Sequence, residues 1–241
     1  MRTKQARWRC AVGILAAMLT LAALPLRAQT VRPLIAELGN PAKGRIEYVN
    51  DSLTPLNVVL EAKSFSVSET GEMSYRPLDP SVHLRLSVTS FRLQPQQSYY
   101  VFYEAKTDAA PAWFVIYAAF SGFAFRTQQG MSVRLELPHT VYLLPKQSLQ
   151  KSDVQVDKLE FNQAQKKLVL EVENTGNNFG RVQETVVAFG KKKQEAPGFP
   201  VFPHSKRLLE ISLDQEPSSP TGVVLQFPSF KIEEQLQGRD P

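Results

Sequence analysis

Cysteine is almost missing from this chain of 241 residues. The single one, Cys10, sits in an apolar run near the start. The remainder therefore has neither thiol nor disulfide, and must hold itself together by burial alone. Histidine is nearly as scarce. His83, His139 and His204 are far apart, and none stands beside a cysteine or an acidic signature. A zinc site needs three or four converging ligands, so no metal is expected. There is no G-x-S-x-G elbow, no glycine loop able to cradle phosphate and no H-E-x-x-H, so no catalytic residue and no cofactor is expected either. An amphipathic helical period of ten or more residues is also absent past the first 28 residues. Charge of one sign is missing too. The first 28 residues hold Arg2, Lys4, Arg7, Arg9 and Arg27 but no acid, which leaves 23 basic against 23 acidic residues. The pI near 9.3 mostly belongs to that leader. It is no argument for nucleic-acid binding.

What is present begins with the leader. A basic start, the apolar run Cys10–Leu24 and Pro25-Leu26-Arg27-Ala28 read as a secretory signal over residues 1–28, cleaved after Ala28. A membrane anchor is the rival reading, although the run is short against the ~20 residues of a span. The expected product is exported and keeps no stable membrane span.

Past the leader, short alternating runs follow one another between turn signals. Val31–Glu37 is broken by Pro33. Arg45–Asn50, Pro55–Ala62, Val82–Val88 and Tyr99–Ala105 read as strands, and Trp113–Phe120 (WFVIYAAF) as a central buried one. Gly122–Gly130 reads as a loop. Later strands are Val154–Phe161, Lys167–Glu173, Arg181–Phe189, Lys206–Leu213 and Val223–Phe227, with Gly190–Gly198 a polar loop whose Lys191-Lys192-Lys193 caps a hairpin. Many short strands with Pro, Asn and Gly turns predict an all-β chain of antiparallel sandwiches.

The pivotal stretch is Gly130–Pro145 (GMSVRLELPHTVYLLP). Met131, Val133, Leu135 and Leu137 alternate with polar residues at the period of a strand. Pro138 cannot donate to a ladder, which points to an edge strand. Pro145 then starts a hinge. An apolar edge is a hazard unless something pairs with it. The alternative is that these side chains face their own core. An internal echo accompanies this stretch. A strand ending in Asn50, a turn, a strand and Phe91-x-Leu93-x-Pro95 are matched by a strand ending in Asn174, a turn, a strand and Phe199-x-Val201-x-Pro203. Two related sandwiches are expected, the second smaller.

The order of these features resembles the PapD-like periplasmic pilus chaperones. IEYVNDSLTPLNVVLEA, SVTSFRLQPQQSYYVFYEA, WFVIYAAF and SVRLELPHTVYLLP are similar to that family's first-domain strands. LVLEVENTGNNFGRV and FPVFPHSKRLLEI are similar to its second domain. The resemblance implies two immunoglobulin-like β-sandwich domains joined by a short hinge, at 29–145 and 146–241. It further implies a periplasmic location, pilin-like protein subunits as partners and delivery to an outer-membrane usher. In the family the last strand of the first domain lends apolar side chains to an incomplete subunit, a role that falls here on Met131, Val133, Leu135 and Leu137. Strand addition satisfies unpaired backbone groups while the side chains fill a groove.

The chain departs from the family at the basic pair that anchors the subunit's terminal carboxylate. Leu34 and Thr140 stand where an Arg and a Lys are expected. Arg32 and Arg134 lie on the right strands, off register. They are the candidate replacements, because guanidinium binds carboxylate bidentately, unless both are merely solvated. A structural or adhesive immunoglobulin-like envelope protein is the alternative function.

Overall fold

The computed structural model describes residues 29–122, 135–213 and 220–236. The expected signal segment lies outside them. The chain folds into two β-sandwiches. The first sheet of the first sandwich orders β1 (Gln29–Arg32), β3 (Ala42–Asn50), β8 (Gln97–Thr107) and β6 (Val82–Leu86). Its second sheet orders β2 (Ile35–Gly39), β10 (Leu135–Leu144), β9 (Ala112–Ser121), β4 (Leu56–Val67) and β5 (Met73–Pro77), with β7 (Ser90–Leu93) also paired to β4. The second sandwich sets β11 (Val154–Asn162), β12 (Lys167–Asn174) and β15 (Ser205–Ser212) against β14 (Lys192–Val201), β13 (Gly180–Phe189), β16 (Gly222–Gln226) and β17 (Lys231–Gln235).

Period-2 patterning decides which residues enter each core. In β8, Val101, Tyr103 and Ala105 are buried while Phe102, Glu104 and Lys106 are exposed. In β12, Leu168, Leu170 and Val172 are buried. The unbroken apolar run of β9 has a different cause: both of its faces are covered. Phe114, Ile116, Ala118 and Phe120 enter the first core. Trp113, Val115 and Tyr117 join an aromatic cluster with Phe65, Tyr142 and Leu144 of the first sandwich and Phe179 and Phe202 of the second. A strand covered on both faces gains nothing from alternation.

The internal echo is a shared local structure. Asn50 and Asn174 are both fully buried. Each side-chain oxygen accepts the backbone N–H two residues on, from Ser52 at 3.0 Å and Gly176 at 2.9 Å. Each amide donates to the carbonyl four residues on, Thr54 at 2.9 Å and Asn178 at 2.8 Å. Each also reaches the carbonyl two residues before the corner proline, Leu93 at 3.3 Å and Val201 at 3.4 Å. The residue after that proline has positive φ in both halves, 56° at Gln96 and 50° at His204. The following strand then returns antiparallel, pairing Asn50 with Gln97 and Asn174 with Ser205.

One expectation needs correction. The segment from Gly190 to Gly198 is not a loop. β14 pairs with β13 along its length, turning at Gly190 (φ 61°) and Lys191. Lys192 and Lys193 therefore lie on a strand. Its sequence reads as polar because β14 is an edge strand, exposed at Lys192, Lys193, Glu195 and Pro197 and buried only at Phe199 and Val201, and an edge tolerates Pro197. β5 carries no readable signal either, since all five of its residues are exposed at a sheet edge.

Candidate functional site

The first strand leaves its sheet at Pro33. β1 runs antiparallel to β3, and β2 then pairs in parallel with β10 in the opposite sheet. This switch shapes the site. β9 flanks β10 from Leu135 to Leu143, but β2 flanks it only from Thr140 to Leu144. Among the described residues, the stretch from Leu135 to Pro138 has a partner strand on one side alone. The Thr140 N–H donates to the Leu34 carbonyl at 2.8 Å, on the side away from β9. Strand alternation turns Pro138 the same way, so its missing donor costs no bond to β9.

Side chains alternate along β10. Leu135, Leu137, Val141 and Leu143 pack on the first core, the first two only half-buried. Tyr142 and Leu144 face the second sandwich. Tyr142 stacks on Phe179 with ring centroids 4.4 Å apart, and Arg181 lies over the Tyr142 ring at 5.1 Å while pairing with Glu37 at 2.5 Å. Beside the open half runs a shelf on the same outward face. Tyr75 meets Tyr117 edge-on at 5.4 Å, Lys63 lies over Tyr117 at 5.9 Å, and Met73 and Val59 are exposed.

A buried histidine closes the boundary between the covered and open halves. The His139 Nδ1–H donates to the Pro33 carbonyl at 2.6 Å, and Nε2 accepts from the Tyr103 hydroxyl at 3.1 Å. Tyr103 crosses the core from β8, its ring lying against Gly44, where any Cβ would overlap it. Burial holds the imidazole below its ordinary pKa, opposed by the bond to Pro33. Burial likewise pushes the Tyr103 hydroxyl up to about 12. The cluster ties the strand switch, β10 and the opposite sheet at one point.

The residues singled out in the sequence fall as follows. Leu135 and Leu137 stand on the open half. Met131, Val133 and Arg134 lie outside the described residues. Arg32 is exposed at the end of β1, opposite Glu47. Leu34 and Thr140, the two positions aligned with the family's basic anchor, are immediate neighbours. Leu34 is 58% exposed, so the spot where the resemblance implied a basic pair holds an uncharged one. His83 meets Asp108 at 3.2 Å and His204 meets Asn177 at 2.7 Å. Sequence reasoning missed Phe179 and Phe202 as partners of β10. Their signal was an aromatic within each of two turn segments, NNFGR and VFPHS.

No protein-family model and no curated protein matches the chain. Solved structures do. One chain of the complex of Salmonella enterica SafA pilin with the SafB chaperone superposes with a TM-score of 0.55 at 12% identity, over 89% of this chain and 99% of that one. The class 5 fimbriae chaperone CfaA gives 0.53 at 11%, over 88% and 100%. The E. coli chaperone DraB gives 0.51 at 16%, over 87% and 99%. The two-sandwich fold of this chain is that of the PapD-like fimbrial chaperones.

Proposed function

We propose that the chain is a periplasmic pilus-assembly chaperone. It holds pilin-like subunits by pairing them along the open half of β10 and passes them to an outer-membrane usher. The observation that carries this reading is the uneven cover of β10, with β2 ending at Thr140 while the strand runs on to Leu135. A subunit lacking a strand would add its edge there, and its backbone groups would find partners. Met131, Val133, Leu135 and Leu137 are the donor side chains, and the shelf of Tyr75 and Tyr117 lies alongside. Arg32 and Arg134 are the carboxylate anchor in place of Leu34 and Thr140. The first domain ends at Pro145, with residues 1–28 removed on export, 29–145 forming the first domain and 146–241 the second. The solved complex of SafA pilin with SafB chaperone supports a pilin-like partner. Strand pairing needs no cofactor and no catalytic group.

Co-expression of the chain in a bacterial periplasm with a pilin-like subunit deleted of its own N-terminal strand tests this. A soluble complex is expected. The double substitution Leu135→Glu, Leu137→Glu should abolish it, and a urea melt of the variant separates lost pairing from lost fold, since both side chains also pack on the first core. Subunit that degrades equally with and without the chain would overturn the reading. The uncharged Leu34–Thr140 pair favours a second reading, a structural or adhesive envelope protein. Self-association or cell binding without subunit capture would mark that one.

A further inference from the structure

The outer face of the β1-β3-β8-β6 sheet breaks the rule that an exposed sheet face is polar. Tyr100 and Phe102 stand next to each other on its central strand β8, 45% and 58% exposed. Cations surround them. Arg45 lies opposite Phe102 in the register and over the Tyr100 ring at 5.6 Å. Arg85 and Lys43 line a concavity of about 370 Å³ beside Phe102, floored by Gly44 and Ser87. Arg32 extends the same face on β1. The acids of the face are already engaged. Glu104 pairs with Lys43 at 2.8 Å, and Glu47 accepts from the Tyr100 hydroxyl at 3.0 Å. Among the described residues no carboxylate lies within ion-pair distance of Arg32, Arg45 or Arg85. The face is thus an aromatic centre on which the basic residues Arg32, Lys43, Arg45 and Arg85 outweigh the carboxylates of Glu47 and Glu104, the latter also lying opposite Arg85.

From this we infer that the outer face of the β1-β3-β8-β6 sheet is a docking surface for an acidic protein segment. Aromatic and arginine side chains at the centre of a patch are the residue types that dominate protein interfaces. The positive excess selects a partner rich in Asp and Glu and speeds its approach. Carboxylates of the partner pair with Arg45 and Arg85 in the bidentate geometry guanidinium allows. An apolar side chain between them covers Phe102. The outer faces of a sandwich point in opposite directions, so a partner here leaves the β10 edge on the other sheet free. Arg32, assigned above to the carboxylate anchor, is the one residue the two surfaces share.

The test uses a short synthetic peptide alternating glutamate with leucine, titrated against the exported chain, with a lysine–leucine peptide as the charge-reversed control. The acidic peptide should bind, with affinity falling as salt rises from ~0.05 to ~0.2 M, and the control should not. Phe102→Ala and Arg85→Glu should each weaken binding roughly tenfold without moving the thermal midpoint, since both side chains are exposed. Amide exchange should slow on β6 and β8 in the bound state, which separates this face from the β10 edge. No binding, or equal binding by the variants, overturns the inference. So does protection confined to β10. Equal or tighter binding of phosphatidylglycerol vesicles or heparin through the same arginines replaces the acidic segment with a general anion. Self-association abolished by Arg85→Glu replaces it with a second copy of the chain.

Discussion

His139 shows how one residue can link sequence chemistry to a site boundary. Its ring is buried, donates to Pro33 and accepts from Tyr103, which suits the neutral form. Burial therefore lowers its pKa in the folded state below the ordinary 6.5. In the unfolded chain the same imidazole gains its proton near pH 6.5. Below that pH the unfolded state binds more protons, so stability is lost as pH falls. Above it both states are neutral and the group contributes no pH dependence. Urea midpoints measured between pH 7.5 and pH 5 should fall toward acid, and His139→Gln should flatten the portion of that slope starting near pH 6.5. An unchanged slope in the variant would show that His139 is not the titrating group. The sequence showed three scattered histidines and allowed only that they form no metal site. Nothing local distinguishes His139 from His83, because its partners come from 106 and 36 residues away. Asn50 and Asn174 were more legible. Their role is met largely by carbonyls and N–H groups within four residues, and a local rule of that kind survives in the pattern of a turn.

Within the strand β10, support changes along its length. Leu143 is fully buried between β9 and β2, whereas Leu135 is half-buried with β9, among the described residues, its one partner strand. Removing a side chain from a closed core leaves a cavity, while the same removal at an open edge lets solvent and neighbours relax. Leu143→Ala should therefore cost about 2–4 kcal/mol in chemical denaturation and Leu135→Ala less than about 1.5 kcal/mol. Equal losses would mean that the two ends are equally enclosed. The alternation from Leu135 to Leu144 and the edge signal of Pro138 were readable from the sequence, since both follow from backbone geometry. The partner on the other side was not. β2 is about a hundred residues away in the chain, and its parallel pairing with β10 follows from a sheet switch that Pro33 only hinted at. β14 failed for the opposite reason. An exposed edge strand needs few apolar residues, so its alternation was too faint to tell from a loop.

Across the whole molecule, the two sandwiches are joined by more than the hinge. Phe65, Tyr142, Phe179 and Phe202 form one buried cluster. Phe65 and Phe202 meet edge-on at 6.4 Å, and Trp113 packs on Phe202 at 4.6 Å. Arg207 donates to the Glu69 carbonyl at 2.8 Å, and the Leu208 N–H donates to the same carbonyl at 2.8 Å. Gly71 closes this loop at φ 97°, with the Arg207 guanidinium packed where a side chain would stand. Such an interface couples the unfolding of its two halves. Phe202→Ala should lower stability by about 2–4 kcal/mol and split one calorimetric transition into two, because the interface loses its central ring. A single sharp transition in the variant would assign the coupling elsewhere. The interface also orients β10, since Tyr142 and Leu144 lie in it and Leu135 lies beyond it.

By itself the sequence determined the secondary structure class, the two-sandwich plan, the repeated asparagine corner and the apolar alternation of the last strand before the hinge. Each of these rests on local periodicity, on residues with restricted backbone geometry or on side chains that bond to near neighbours. Only the tertiary structure decided which half of β10 is covered, that Leu34 meets Thr140, that His139 is buried against Pro33 and Tyr103, and that Tyr100 and Phe102 stand exposed among arginines. Those facts depend on which strands become neighbours across long stretches of chain. That choice is made by the joint burial of many side chains and is written in no single segment.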